Sequence, residues 1–160
     1  MVPRRFLAGV VLAVLVIAAD QLVKAWLKVV LLNPTRIIPI TGFFSLVPAE
    51  NRGIGFSLFG TNSGWGSWVF SGLALVVSLV MLRWLWGAAR LWLVLALGLI
   101  IGGALGNMID RLRFGAVFDF LYFHAGGYSF PAFNLADSAI SVGVGLMLLD
   151  SLFSKRETAK

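Results

Sequence analysis

The 160-residue chain is 59% hydrophobic and only 12% charged. Leaving out its 2 Tyr and adding its 18 Gly brings the apolar share to about 69%, against roughly 45–50% in soluble domains. A water-soluble domain of this length cannot hide so much apolar surface, and so apolar a chain is not disordered either, which leaves an integral membrane protein. No cysteine is present, which excludes disulfides, thiolate nucleophiles, Cys–zinc sites and iron–sulfur clusters. The single histidine, His124, excludes a multi-histidine metal site. In such a chain a net charge of +6 reads as a topology signal or a contact with anionic lipid, rather than as nucleic-acid binding.

A bilayer core of about 30 Å needs roughly 20 helical residues. The first such stretch covers residues 6–31. It opens after Arg4-Arg5 and passes Ala18-Ala19, so its start has the form of a cleavable signal peptide. The helical pattern continues through Leu22, Val23, Trp26 and Leu27, longer than a signal core needs, and favours a retained span. Residues 32–64 follow as a connection. Within it, Arg36 to Ile40 and Phe43 to Val47 are β-prone runs punctuated by Gly42 and Pro48, and Ile54, Phe56, Leu58 and Phe59 keep the remainder apolar. A small sheet lying on the membrane surface is expected.

Residues 65–86 and 91–109 form the second and third spans, joined by a turn of a few residues into an antiparallel hairpin. A second connection, residues 112–134, leads to the fourth span at residues 135–153. His124 falls in it beside Tyr122, Phe123 and Gly126-Gly127, as an interfacial loop residue. The expected fold is a single all-α membrane domain, residues 1–160, with four spans and a small extracytoplasmic sheet. An even number of spans places both termini on one side. Arg4, Arg5, Arg83, Arg90, Lys155, Arg156 and Lys160 concentrate there in short tails and one short loop, which marks that side as cytoplasmic.

Charges within spans default to a functional reading. Asp20 lies 15 residues beyond Arg5, about 22 Å along a helix. Asp137 lies 18 residues before Lys155, about 27 Å by the same rise. Asp110 and Arg111 lie 20 and 21 residues after Arg90, about 30 Å away. Three spans therefore deliver acids to one outer level, with Asp119 just beyond. Plainer readings coexist. Asp20 and Lys24 are spaced to neutralise each other on one helix face, and Asp137 suits a helix start capped by Asn134. Gly98, Gly102 and Gly106, with Gly103 beside them, make a small-residue ladder, and Ser141, Gly143 and Gly145 give the fourth span a similar face. The third and fourth spans are expected to pack tightly and bring Asn107 and Arg111 near Asp137.

Asp119 and Asp137 are the pair with chemistry to offer. Two carboxyls a few ångströms apart at the edge of a low-dielectric region tend to share one proton. The ionised member can take a proton from water while the protonated one donates to a substrate carbonyl, without cysteine, histidine or metal. Arg111, Asn107, Asn134 and Asn51 are suited to holding substrate carbonyls and steering the acids. A small proton-coupled transporter or channel is the alternative class, because intramembrane acids also mark proton relays.

Four blocks in order carry a resemblance across nearly the whole chain: Asp20-Gln21-x-x-Lys24; Asn51-Arg52-Gly53-Ile54-Gly55-Phe56; Gly106-Asn107-Met108-Ile109-Asp110-Arg111 running on to Gly115-x-Val117-x-Asp119-Phe120; and Phe133-Asn134-x-Ala136-Asp137-Ser138. They resemble those of the lipoprotein signal peptidases (signal peptidase II), aspartic peptidases of the bacterial inner membrane. Gly55 stands where Ala is usual, and Phe130 where Trp is common. The resemblance implies four helices with a periplasmic β-cradle and cleavage of diacylglyceryl-modified prolipoproteins just before the lipidated Cys. It implies Asp119 and Asp137 as the catalytic dyad, with Asn51, Gly53, Asn107, Arg111, Asn134, Asp20 and Lys24 binding or supporting. It implies no cofactor, membrane lipid as surroundings, and inhibition by globomycin-like cyclic peptides.

Overall fold

The computed structural model of the chain describes residues 2–53 and 65–157. In chain order its elements are α1 (Arg4–Leu32), β1 (Ile38–Pro39), β2 (Phe44–Asn51), α2 (Trp65–Trp86), α3 (Leu91–Phe114), β3 (Val117–Ala125), β4 (Tyr128–Ser129) and α4 (Leu135–Glu157). All four helices are long and apolar enough to cross a membrane. The apolar run Ile54 to Phe59 lies outside the described residues.

The third helix is the axis of the bundle. It packs against α1, α2 and α4, whereas α1 and α2 scarcely meet. Accordingly 61% of the most apolar stretch of α3 is buried, against 17% in each of the other helices. The exposed faces of α1, α2 and α4 carry Leu, Val and Trp, as lipid-facing surfaces do.

The expected tight packing of α3 on α4 is present, but Gly98 and Gly102 do not make it. A Cβ on Gly98 or Gly102 would strike Gly9, Leu12, Ala13 or Val16, so this ladder seats α3 on α1, not on α4. The α3–α4 contact instead uses Gly103, against Ala136 and Ile140, and Gly143, against Ala96 and Ile100. Gly106 faces both helices, with Asp20 and Ala136 as neighbours. Spacing reveals that a helix face is small; the partner depends on how the helices are arranged.

The third helix also runs five residues past the expected end at Ile109. Asp110, Arg111 and Arg113 are polar, but the basic pair in the last turn complements the negative end of the helix dipole. Termination comes at Gly115, whose positive φ of 74° lets its N–H reach the Arg111 carbonyl at 3.0 Å.

A four-stranded antiparallel sheet, in the order β1-β2-β3-β4, covers one end of the bundle. Only its first half was expected: the second connection is no plain loop, for it supplies β3 and β4. The first half of β3 is buried on both faces, so its residues read as a continuous apolar run instead of alternating. Phe118 and Phe120 of this strand pack on Leu27 and Leu31 of α1, which anchors the sheet to the bundle. His124 is likewise a strand residue, sharing a 3.1 Å hydrogen bond with the buried Ser45 across the sheet.

Candidate active site

The α4 start is built by its own sequence. Asn134 Oδ1 accepts the Asp137 N–H at 2.9 Å, and Asp137 Oδ2 accepts the Asn134 N–H at 3.2 Å. This is a reciprocal capping box, with an aspartate in place of the usual glutamate or glutamine. The helix-cap reading of Asp137 is therefore correct, and it leaves Asp137 Oδ1 to accept Asn107 Nδ2 at 2.7 Å.

Asp119 arrives from β3, paired opposite Ala49 of β2 beside a break in the strand register. Asn134 Nδ2 donates to Asp119 Oδ1 at 2.6 Å and to Asn107 Oδ1 at 3.1 Å. One asparagine thus contacts both aspartates, Asp119 through its amide and Asp137 through its backbone. Asn51 hydrogen-bonds Asp119 as well, while its own Oδ1 accepts the Gly53 N–H at 3.0 Å. Burial pushes the Asp119 carboxyl up to about 6, and the nearby Asp137 charge adds to this; the bonds from Asn51 and Asn134 oppose it.

Arg111 sits on the last turn of α3 with Asp137, Asp119 and Asp110 as its charged neighbours. Its Nε is buried without an acceptor among the described residues, and its guanidinium lies 5.4 Å from the centre of the Phe70 ring of α2. Gly53, at a φ of 82°, rests on the same ring: a Cβ there would come within 2.5 Å of Phe70 carbons. Phe70 was not singled out from the sequence, because an aromatic inside an apolar span carries no distinguishing pattern.

Asp20 and Lys24 form the expected ion pair, 2.8 Å apart, and both are fully buried. Their partners were not foreseen. Lys24 also reaches Asp110 at 3.0 Å and Asn107 Oδ1 at 3.1 Å, and Gln21 donates to Asp110 at 3.0 Å. Both Gln21 and Asp110 belong to the motif blocks, so the signal for them was present. Among the described residues no group of three or more His, Asp or Glu side chains is arranged to hold a metal ion. The remaining buried acid, Asp150, lies on α4 far along the chain from Asp137 and pairs with Arg90 at 2.7 Å.

The chain is similar to known proteins over most of its length. Residues 12–153 match the family model described as signal peptidase (SPase) II. A lipoprotein signal peptidase of Azoarcus sp. (strain BH72) is 54% identical over 146 residues, covering 89% of this chain and 81% of that protein. One from Methylocella silvestris is 44% identical, covering 92% and 87%. Two bacterial membrane enzymes solved by the in meso method are similar in structure. The 2.3 Å structure gives a TM-score of 0.77 at 25% identity, covering 96% of this chain and 92% of the other. The 1.9 Å structure gives 0.75 at 28%, covering 91% and 92%.

Proposed function

Since the chain belongs to the signal peptidase II family, an aspartic-type peptidase of bacterial membranes acting on prolipoproteins, we propose that Asp119 and Asp137 are its catalytic dyad. The observation that carries the reading is Asn134, whose amide and backbone N–H engage one aspartate each. Asp119, with its carboxyl raised by burial, holds the shared proton and donates it to the scissile carbonyl oxygen. Asp137, whose oxygens each accept an N–H from Asn107 or Asn134, takes a proton from the attacking water. The new C–O bond forms a tetrahedral diol. Its collapse breaks the C–N bond as the proton on Asp137 passes to the leaving nitrogen and Asp119 takes back a proton from a diol hydroxyl, which restores the starting dyad.

Arg111, whose buried Nε has no partner among the described residues, and Asn51 on the rim are the groups suited to hold the substrate backbone. The substrate is a diacylglyceryl-modified prolipoprotein. Its acyl chains and signal helix stay in lipid against the exposed apolar helix faces, and cleavage falls just before the lipidated Cys. Globomycin-like cyclic peptides occupy the same site without being cut. The protein lies in the inner membrane with both termini cytoplasmic and the sheet end outward, in keeping with the basic residues Arg4, Arg5, Arg83 and Arg90 at the opposite end. A transporter would need acids along a path through the bundle. The described buried acids instead gather at the sheet end, apart from Asp150 with its Arg90 partner.

Purified protein incubated with a lipidated prolipoprotein releases the signal peptide. Asp119→Asn and Asp137→Asn each lower that rate by about 10²–10⁴-fold. Near wild-type cleavage by either variant ends the dyad assignment.

A further inference from the structure

Behind the two aspartates lies a buried triad that the proposed reaction does not use directly. The side chains of Asp20, Lys24 and Asp110 are exposed by 0%, 2% and 1%. An ammonium has three N–H donors, and Lys24 spends them on Asp20 Oδ2, Asp110 Oδ2 and Asn107 Oδ1. The bond to Asn107 orients that amide, so its NH₂ faces Asp137. Two further bonds reach backbone. Asp20 Oδ1 accepts the Ala136 N–H at 3.0 Å, and Asp110 Oδ2 accepts the Phe118 N–H at 3.2 Å. Ala136 immediately precedes Asp137, and Phe118 immediately precedes Asp119.

We infer that the Asp20–Lys24–Asp110 triad sets the separation of Asp119 and Asp137, by holding the backbone N–H just before each and tying the two holds together through Lys24. Asp110 and Lys24 are on this account positioning residues, and the inference rests on the dyad reading above. Stability alone is a weak reason for such a cluster, since buried ion pairs can often be replaced by packed apolar side chains without loss. Position is the stronger one. Asp20 comes from α1, Asp110 from α3, and the two held N–H groups from α4 and β3. No single element fixes the distance between the aspartates.

The test measures turnover of a diacylglyceryl-modified peptide by the full chain in lipid nanodiscs, across the pH range in which the wild type works. Asp110→Leu, which leaves no oxygen for the Phe118 N–H or Lys24, lowers kcat by about 10²-fold while KM holds, as expected when reacting groups are displaced. It also narrows the bell-shaped pH profile, because carboxyls moved apart interact less and their two apparent pKa values converge. A merely structural role lowers the amplitude with the folded fraction and leaves the limbs in place, which overturns the inference, as does a rise in KM at constant kcat. If Asp110→Leu does not fold, Lys24→Met with Asp110→Leu removes one cation and one anion together, and the same outcomes decide. Asp119→Asn run alongside separates the two claims. Activity in that variant sinks the dyad itself. Its loss, with a wild-type profile for Asp110→Leu, sinks only the triad.

Discussion

Asp119 illustrates how one residue trades stability for chemistry. Its folded carboxyl titrates near 6 against 3.8 for the free group, so the folded state binds more protons between those values. Stability from this residue is therefore present below about pH 4 and is lost as pH rises through about 6. Asp119→Asn removes the cost of burying the ionised form and keeps an oxygen for Asn134. The variant should melt a few degrees above wild type at pH 7.5, with the gain vanishing near pH 4, as followed by thermal unfolding in detergent. A melting temperature unchanged at both pH values contradicts it. Much of this residue-scale picture was legible beforehand. Helix rise alone brought Asp20, Asp110 and Asp137 to one level, and Asn134 was readable as a cap. What spacing could not convey is who binds whom across 83 or 116 residues of chain, as in Lys24 to Asn107 and Asp20 to Ala136.

At the level of elements, close helix approach is the controlling variable. Gly103 admits Ala136 and Ile140, whereas Gly145 has nothing within 4 Å. Gly103→Ala forces α3 from the α4 start, which carries Asp137, and should cost about 1–3 kcal/mol together with most of the activity. Gly145→Ala should stay within about 0.5 kcal/mol and keep full turnover. Thermal melts and peptide cleavage on the two variants check this, and equal behaviour contradicts it. The spans themselves were readable because bilayer thickness sets their length, and α2 begins and ends as expected. The packing of α3 on α4 was readable too, but not that Gly98 and Gly102 face α1, since a ladder of glycines is equally compatible with either neighbouring helix. The strand β3 escaped notice because its aspartate interrupts an apolar run that never alternates, so period-2 reasoning had nothing to hold.

Across the whole molecule, polar contacts mark two ends. One holds the aspartates, asparagines and the Lys24 triad beneath the sheet; the other has the Arg90–Asp150 pair joining the α3 start to α4. The natural absence of cysteine makes orientation simple to measure. A single cysteine at exposed Ser129 should react with a membrane-impermeant maleimide in intact spheroplasts, and one at exposed Ala89 only after lysis. The reverse pattern inverts the topology. The triad also bears on how such a chain is made. During insertion α1 carries its own counter-ion, since Asp20 and Lys24 sit one turn apart, and α3 enters with Asp110 beside Arg111. Asp20 and Asp110 each thus have a cation on their own helix before the helices meet. Only when α1, α3 and α4 come together does Lys24 gain Asp110 and do the two aspartates acquire their holds. On the proposed dyad, a chain whose helices have not yet met lacks both holds and should show no cleavage.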